Sequence, residues 1–197
     1  MSRDSPKYLL FRCDSSDILG FGHLMRCISI AQEARRIGIE SIFLIAEYSD
    51  NAINILESEK IKFYIIDKLK KKDELFSTIF LCKKYDIKNI ILDISHKLTF
   101  SSSKYYFNYI QDLLTNDYKL SIIDGTGNES IALKYRLKES KIFLPYLIPD
   151  YEIIKYKDYN LFHSLSFFPI RDQFVNAKKN INFDQTRNFK ILIALSG

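Results

Sequence analysis

The segment Arg12-Cys13-Asp14-Ser15-Ser16-Asp17-Ile18-Leu19-Gly20-Phe21-Gly22-His23, followed by Leu24-Met25-Arg26-Cys27, holds the densest set of residues able to do chemistry. Two glycines permit tight turns and close backbone approach to a ligand. A helix starting behind them offers unpaired N–H groups and a positive dipole end, which suits a phosphate-bearing ligand. A helix N-terminus disfavours the imidazolium, so His23 is read as largely neutral and available as a base. Its other use is to cap the helix or fill a polar pocket, and spacing alone leaves both open. The Gly20-Phe21-Gly22 pair is a poor dinucleotide fingerprint, because Met25 stands where a third glycine belongs and no P-loop Lys-Ser/Thr follows. No G-x-S-x-G elbow is present, and Cys13 and Cys27 are read as packing beneath the loop. His23 and Cys27 have i, i+4 spacing but lack a second ligand pair, so neither a metal nor a cofactor is expected.

Asp93 and Asp124 each close an apolar run. In an open parallel sheet ligands bind outside the carboxyl ends of the strands, so both carboxylates are placed on the same edge as His23. They could orient substrate hydroxyl or amide groups or steer the imidazole; the alternative is that each caps the loop or helix behind it. Gly125-Thr126-Gly127 reads as a flexible turn, His96 and His163 as solvated loop residues, and Lys68 with Lys70–Lys72 as a solvated basic knot.

These residues need a scaffold, and the hydropathy pattern supplies one. Apolar, β-rich runs recur at Tyr8–Phe11, Ser41–Ala46, Lys62–Ile66, Asn89–Ile94, Leu120–Asp124 and Lys141–Leu144. Amphipathic stretches separate most of them, which predicts an α/β, Rossmann-like parallel sheet with helices on both faces. Ile90-Ile91-Leu92 and Ile65-Ile66 read as buried on both sides. The first helix is predicted from the spacing of Leu24, Cys27, Ile28, Ala31 and Ala34, with Gly38 as its stop. Others are predicted over Asp50–Ser58, Asp73–Tyr85, Ser103–Leu114 and Arg171 to about Lys179.

Composition narrows the classes further. The 197 residues are 47% hydrophobic and 27% charged, enough to bury a core and too few charges for a disordered chain. The net charge of +5 comes mainly from scattered lysines, so no nucleic-acid partner is expected. Apolar runs are strand-sized, far below the about 20 residues of a membrane helix, so no membrane partner is expected either. Three cysteines, Cys13, Cys27 and Cys82, with a polar start and no signal-like segment predict a reduced, cytoplasmic protein.

After Pro145 and Pro149 the repeat breaks, and Lys190–Leu195 reads as a fresh buried strand leading to Ser196-Gly197. Residues 1–188 are therefore expected to form an amino-terminal Rossmann-like domain, and 189–197 the first strand of a second α/β unit.

The loop pattern Phe11-Arg12-Cys13-Asp14-Ser15-Ser16, Ile18-Leu19-Gly20-Phe21-Gly22-His23 and Met25-Arg26-Cys27 resembles the opening of the UDP-2,4-diacetamido-2,4,6-trideoxy-β-L-altropyranose hydrolases of pseudaminic acid biosynthesis and related spore coat polysaccharide proteins. The likeness continues at residues 90–93, 122–124, 169–174 and 190–197. It implies the amino-terminal half of a GT-B-type two-domain fold, with a missing or separate carboxy-terminal domain holding most of the nucleotide. It also implies a UDP-sugar substrate, with His23 activating the water that attacks the anomeric carbon and displaces UDP. By the same resemblance Arg12, Asp14, Gly20, Gly22 and Arg26 shape the loop or touch substrate, Asp93 and Asp124 contact the sugar, and Arg171 with Phe174 lies where one domain runs into the other. The chain departs from the family at Ile94-Ser95, where a tyrosine is usual, and at Gly125, where a second acid is common. The alternatives are a GT-B glycosyltransferase half working with a separate carboxy-terminal subunit, or an inactive remnant or sugar-binding module. A half of a two-domain protein also predicts an exposed apolar patch.

Overall fold

A computed structural model describes residues 7–66, 73–93, 103–125 and 130–179. The elements are β1 (Lys7–Cys13), α1 (Gly22–Arg36), β2 (Ile39–Ile45), α2 (Asp50–Ser58), β3 (Lys62–Ile65), α3 (Asp73–Lys84), β4 (Asn89–Asp93), α4 (Ser103–Thr115), β5 (Lys119–Ile123), α5 (Ile131–Tyr135), β6 (Lys141–Leu144), α6 (Asp150–Ile153), β7 (Asn160–His163) and α7 (Asp172–Lys179). The strands form one sheet in the order β3-β2-β1-β4-β5-β6-β7, with every pairing parallel. This is the Rossmann-like α/β architecture expected from the alternation of apolar runs. The order reverses between β1 and β4, the place where a ligand crevice opens in such sheets.

Successive strand residues feed opposite faces, as the two-residue period requires. Leu10, Ile42, Ile90, Leu92, Ile122 and Ile142 pack with Leu81 and Cys82 of α3 and Tyr106, Ile110 and Leu113 of α4. Phe11, Phe43 and Ile45 pack on the other face with Leu24, Cys27, Ile28 and Ala31 of α1 and Ala52 and Leu56 of α2. The second layer covers β1 to β3. Phe143 of β6 and Phe162 of β7 are only half-buried on their strands, and Phe167 and Phe168 stand exposed nearby. A 170 Å³ apolar cavity lies there between Ile30, Ile91, Ile123, Phe143 and Phe167. Exposed aromatic side chains and this cavity make an apolar area on this side of the sheet.

Local signals explain the boundaries. Gly38 ends α1 with φ of +79°, and its N–H donates to the Arg35 carbonyl at 3.0 Å. Arg35 and Arg36 occupy the negative end of the helix dipole. Ser49 caps α2, its hydroxyl accepting from the Ala52 N–H at 3.4 Å.

Two features differ from the sequence reading. β3 is an edge strand, so Ile65 is 45% exposed and is not buried on both faces. β7, α5 and α6 are not predicted by the sequence, because elements of four or five residues give no resolvable period. The lysines at 68 and 70–72, Ile94-Ser95, His96, Thr126-Gly127 and the segment 189–197 lie outside the described residues.

Ile28 sits fully buried between α1 and the sheet. Ile28→Ala is expected to cost about 2–5 kcal/mol and Ile28→Val about 0.5–1.5 kcal/mol, measured by urea unfolding followed by circular dichroism.

Candidate functional site

Asp93 is the last residue of β4 and pairs in register with Cys13, the last residue of β1. Strand alternation turns its side chain toward α1, where it is 1% exposed. A buried carboxylate requires donors, and α1 supplies them. His23 Nδ1 lies 2.7 Å from Asp93 Oδ1. Arg26 donates from Nε to Oδ2 and from Nη2 to Oδ1, both at 2.7 Å, a two-pronged clamp that fixes the carboxylate plane. Cys27 Sγ donates to Oδ2 at 3.8 Å. Positions 23, 26 and 27 share one helix face, so a single helix turn delivers all three groups.

Arg26 Nη2 also lies 3.3 Å from His23 Nδ1, but the 2.7 Å contact with the Asp93 carboxylate, which accepts and cannot donate while ionised, is the shorter and favours the tautomer with its proton on Nδ1. The Nε2 lone pair is then free, and it takes no hydrogen bond among the described residues. His23 is 26% exposed. The helix-cap alternative fails, because Phe21 is the N-cap of α1 and no side chain caps it. An oriented, partly exposed imidazole at an uncapped helix N-terminus can accept a proton beside an anion.

Arg26 also donates from Nη1 to the Tyr146 hydroxyl at 3.1 Å. Burial opposes the Arg26 charge, but the Asp93 clamp outweighs it and holds the guanidinium more firmly protonated than usual. Tyr146 was missed in the sequence. It follows Leu144-Pro145 at the end of β6, where the strand-end rule points, but nothing in its spacing marks its hydroxyl as facing the crevice.

The loop from β1 to α1 is held at both ends. Ser15 N–H donates to Glu47 O at 2.8 Å, Gly20 N–H to Ser16 O at 2.7 Å, and Ser15 Oγ to Gly20 O at 3.1 Å. Gly20 adopts φ of +70°, a conformation that favours glycine. Gly22 has no such constraint, and a Cβ there would meet only open space.

Several expected contacts fall elsewhere. Arg12 is fully buried, donating from Nε to Glu74 and from Nη1 to Asp14, each at 2.6 Å. Asp14 in turn accepts the N–H groups of Ala46 at 2.8 Å and Glu47 at 2.9 Å. Arg12 and Asp14 therefore brace the loop from beneath, the loop-shaping role among those expected of them. Asp124 lies against the start of α5. It accepts from Gly125 N–H, Ile131 N–H, Ala132 N–H and Ser130 Oγ, all within 2.9 Å, so it is spent on holding the start of α5. Burial pushes its carboxyl above the ordinary 3.8, against the pull of those donors. Arg171 stacks over Phe174 at 5.1 Å, and neighbouring Asp172 bonds Arg36 at 2.6 Å and Gln32 at 3.2 Å. Gln32 and Arg36 lie about 14 and 20 Å along α1 from His23, so this pair is remote from the site. No cluster of three His, Cys, Asp or Glu able to hold a metal occurs among the described residues.

No protein-family model and no curated protein matches the sequence. Among solved structures, the chain is similar to MurG from Acinetobacter baumannii, with 13% identity and a TM-score of 0.50. The match covers 73% of this chain and 43% of that one, so the chain spans under half the length of its structural neighbour. At that identity the likeness speaks to the fold: a Rossmann-like sheet in keeping with the amino-terminal half of a GT-B-type protein. No helix among the described residues is long and apolar enough to cross a membrane.

Nitrogen-detected NMR of His23 is expected to show the Nδ1–H tautomer, and Asp93→Ala is expected to abolish that preference. Burial works against the Asp14 charge, but Arg12 outweighs it and holds the carboxyl below 3.8. The native value is depressed, so this contribution is complete above the unfolded value and drains away as pH falls through the native one. Removing Asp14 leaves Arg12 Nη1 without its acceptor and the buried guanidinium held by Glu74 alone, so Asp14→Ala is expected to cost about 1–3 kcal/mol at neutral pH, with a shallower loss on acidification, both read from unfolding curves.

Proposed function

We propose that this chain is the amino-terminal half of a two-domain GT-B-type enzyme that transfers a glycosyl group from a sugar nucleotide, with His23 as general base. The observation that carries the reading is the Asp93 to His23 Nδ1 contact of 2.7 Å, which leaves Nε2 free beside an uncapped helix N-terminus at the reversal of the strand order.

The chemistry follows from the parts. An acceptor hydroxyl hydrogen-bonded to Nε2 gives up its proton as its oxygen bonds to the anomeric carbon and the bond to the nucleotide diphosphate breaks. Asp93 holds the ring and stabilises the imidazolium that forms, while Arg26, itself donating to the Tyr146 hydroxyl, holds Asp93. Diphosphate is a good leaving group, so positioning and electrostatic support suffice and no covalent nucleophile is needed. The second domain, or a separate subunit, supplies most of the nucleotide contacts. Three buried free thiols agree with a reducing, cytoplasmic setting.

A second reading is hydrolysis, in which water is the acceptor and the substrate is a UDP-2,4-diacetamido-2,4,6-trideoxyhexose. The sequence pattern of residues 11–27 favours it.

Both are tested by proton NMR of UDP release from that compound and from UDP-N-acetylglucosamine. The assay compares this chain with a version continuing through the second domain, each with and without sugar acceptors. Acceptor-dependent release supports transfer, and release in water alone supports hydrolysis. His23→Ala is expected to lower the rate by about 10²–10⁴-fold with nucleotide binding retained. Unchanged turnover would overturn the base assignment.

A further inference from the structure

The amino ends of the strands carry a feature unconnected with His23. Lys7 opens β1, Lys62 opens β3, Lys83 and Lys84 close α3, and Lys88 stands just before β4. The fold gathers these three separate stretches of chain onto one edge of the sheet. Six residue steps of β1 put that edge about 20 Å from the Asp93 end. Lys7, Lys83, Lys84, Lys88, Tyr85 and Asp86 line a cavity of 690 Å³, four ammonium groups against a single carboxylate. None of the four lysines has an ion pair among the described residues.

Tyrosines lie among these lysines. Lys62 Nζ lies 4.6 Å and Lys84 Nζ 5.4 Å from the centre of the Tyr85 ring, and Lys84 lies 5.7 Å from that of Tyr64. The Tyr64 and Tyr85 hydroxyls share a 2.5 Å hydrogen bond, and the Tyr8 ring packs 5.2 Å from Tyr85. Lys62 first, and then Tyr64, draw the Tyr85 phenol down to about 8.

We propose that this concave, lysine-lined edge binds a phosphate group, borne by a soluble phosphorylated compound or by a lipid headgroup. Its cationic centres are the Lys7, Lys83, Lys84 and Lys88 ammonium groups, and the cavity is large enough to hold part of the molecule attached. Lysine serves as a point charge here, so recognition is of charge more than of a particular planar group.

Pyrophosphate titrated into the whole chain is the probe, read by calorimetry and by the ultraviolet absorbance of tyrosinate. Saturable binding is expected, with the Tyr85 titration moving upward because the Tyr85 ring lines the cavity and an anion held there opposes the phenolate. The double change Lys84→Gln with Lys88→Gln is expected to weaken binding about tenfold, and added salt to weaken it further. Both side chains are exposed, so the thermal midpoint of that variant should match the parent and rule out misfolding. Vesicles of phosphatidylglycerol, with phosphatidylcholine as control, separate the sources. Binding to the anionic vesicles without pyrophosphate binding, lost in the same variant, assigns the phosphate to a lipid headgroup. Binding to neither probe, or equal binding by parent and variant, overturns the proposal. Pyrophosphate binding that leaves the Tyr85 titration unmoved also overturns it, since the anion would then sit at another place.

Discussion

A carboxylate at the end of a buried strand has to be matched by charge, and much of the upper face of this protein is organised around how Asp93 is matched. Water is excluded from it, so the partners must come from a neighbouring element, and α1 is the one in reach. The Arg26 clamp needs both the axial position and the rotation of α1 to be right, because two parallel hydrogen bonds tolerate little twist. Once that is fixed, His23 one turn earlier has a single ring nitrogen in reach of the carboxylate. The same contact that anchors a helix therefore sets the tautomer of a histidine. Stability and chemistry use one carboxylate, which is why a change at position 93 disturbs both.

Beneath this lies a second ionic cluster with a different task. Arg12, Asp14 and Glu74 are all buried, and their bonds join β1 to the backbone after β2 and to the first turn of α3. They lock together the segments bordering the crevice. The two clusters sit on adjacent strands, but only the one facing α1 leaves a group open to solvent. Alternation along β1 and β4 decides this.

Much of this was legible in the sequence, and the failures share a cause. The parallel sheet, α1 and its Gly38 stop, and the convergence of His23 with Asp93 followed from hydropathy period and from the rule that polar strand-end residues face the crevice. That rule gives the edge and omits what else competes for the side chain there. Asp124 and Asp93 look equivalent as strand-end acids, yet Ser130 and the start of α5 consume the first, while Arg26 and His23 meet the second. Arg12 reads as a ligand-binding cation until the acid that holds it, Glu74, is brought from 62 residues away. Tyr146 joins the site over 120 residues through a hydroxyl that no spacing rule marks. Long-range pairing, absent from a one-dimensional pattern, separates a group that is spent from one that is available.

The lysines make the same point in the opposite direction. Along the chain they look scattered, and scattered charge argues against a binding surface. Folding undoes that inference, because every parallel strand begins at the same edge and a lysine placed before or at the start of a strand arrives there whatever its sequence position. Lys7, Lys62 and Lys88 obey this placement, and the last turn of α3 adds Lys83 and Lys84 where a cation also suits the helix dipole. The sheet thus collects polar and acidic strand-end residues at one edge and lysines at the other. A chain with modest net charge acquires two faces of unlike chemistry through topology alone. The free imidazole and the unpaired ammonium groups are each the remainder after the fold has used the partners within reach.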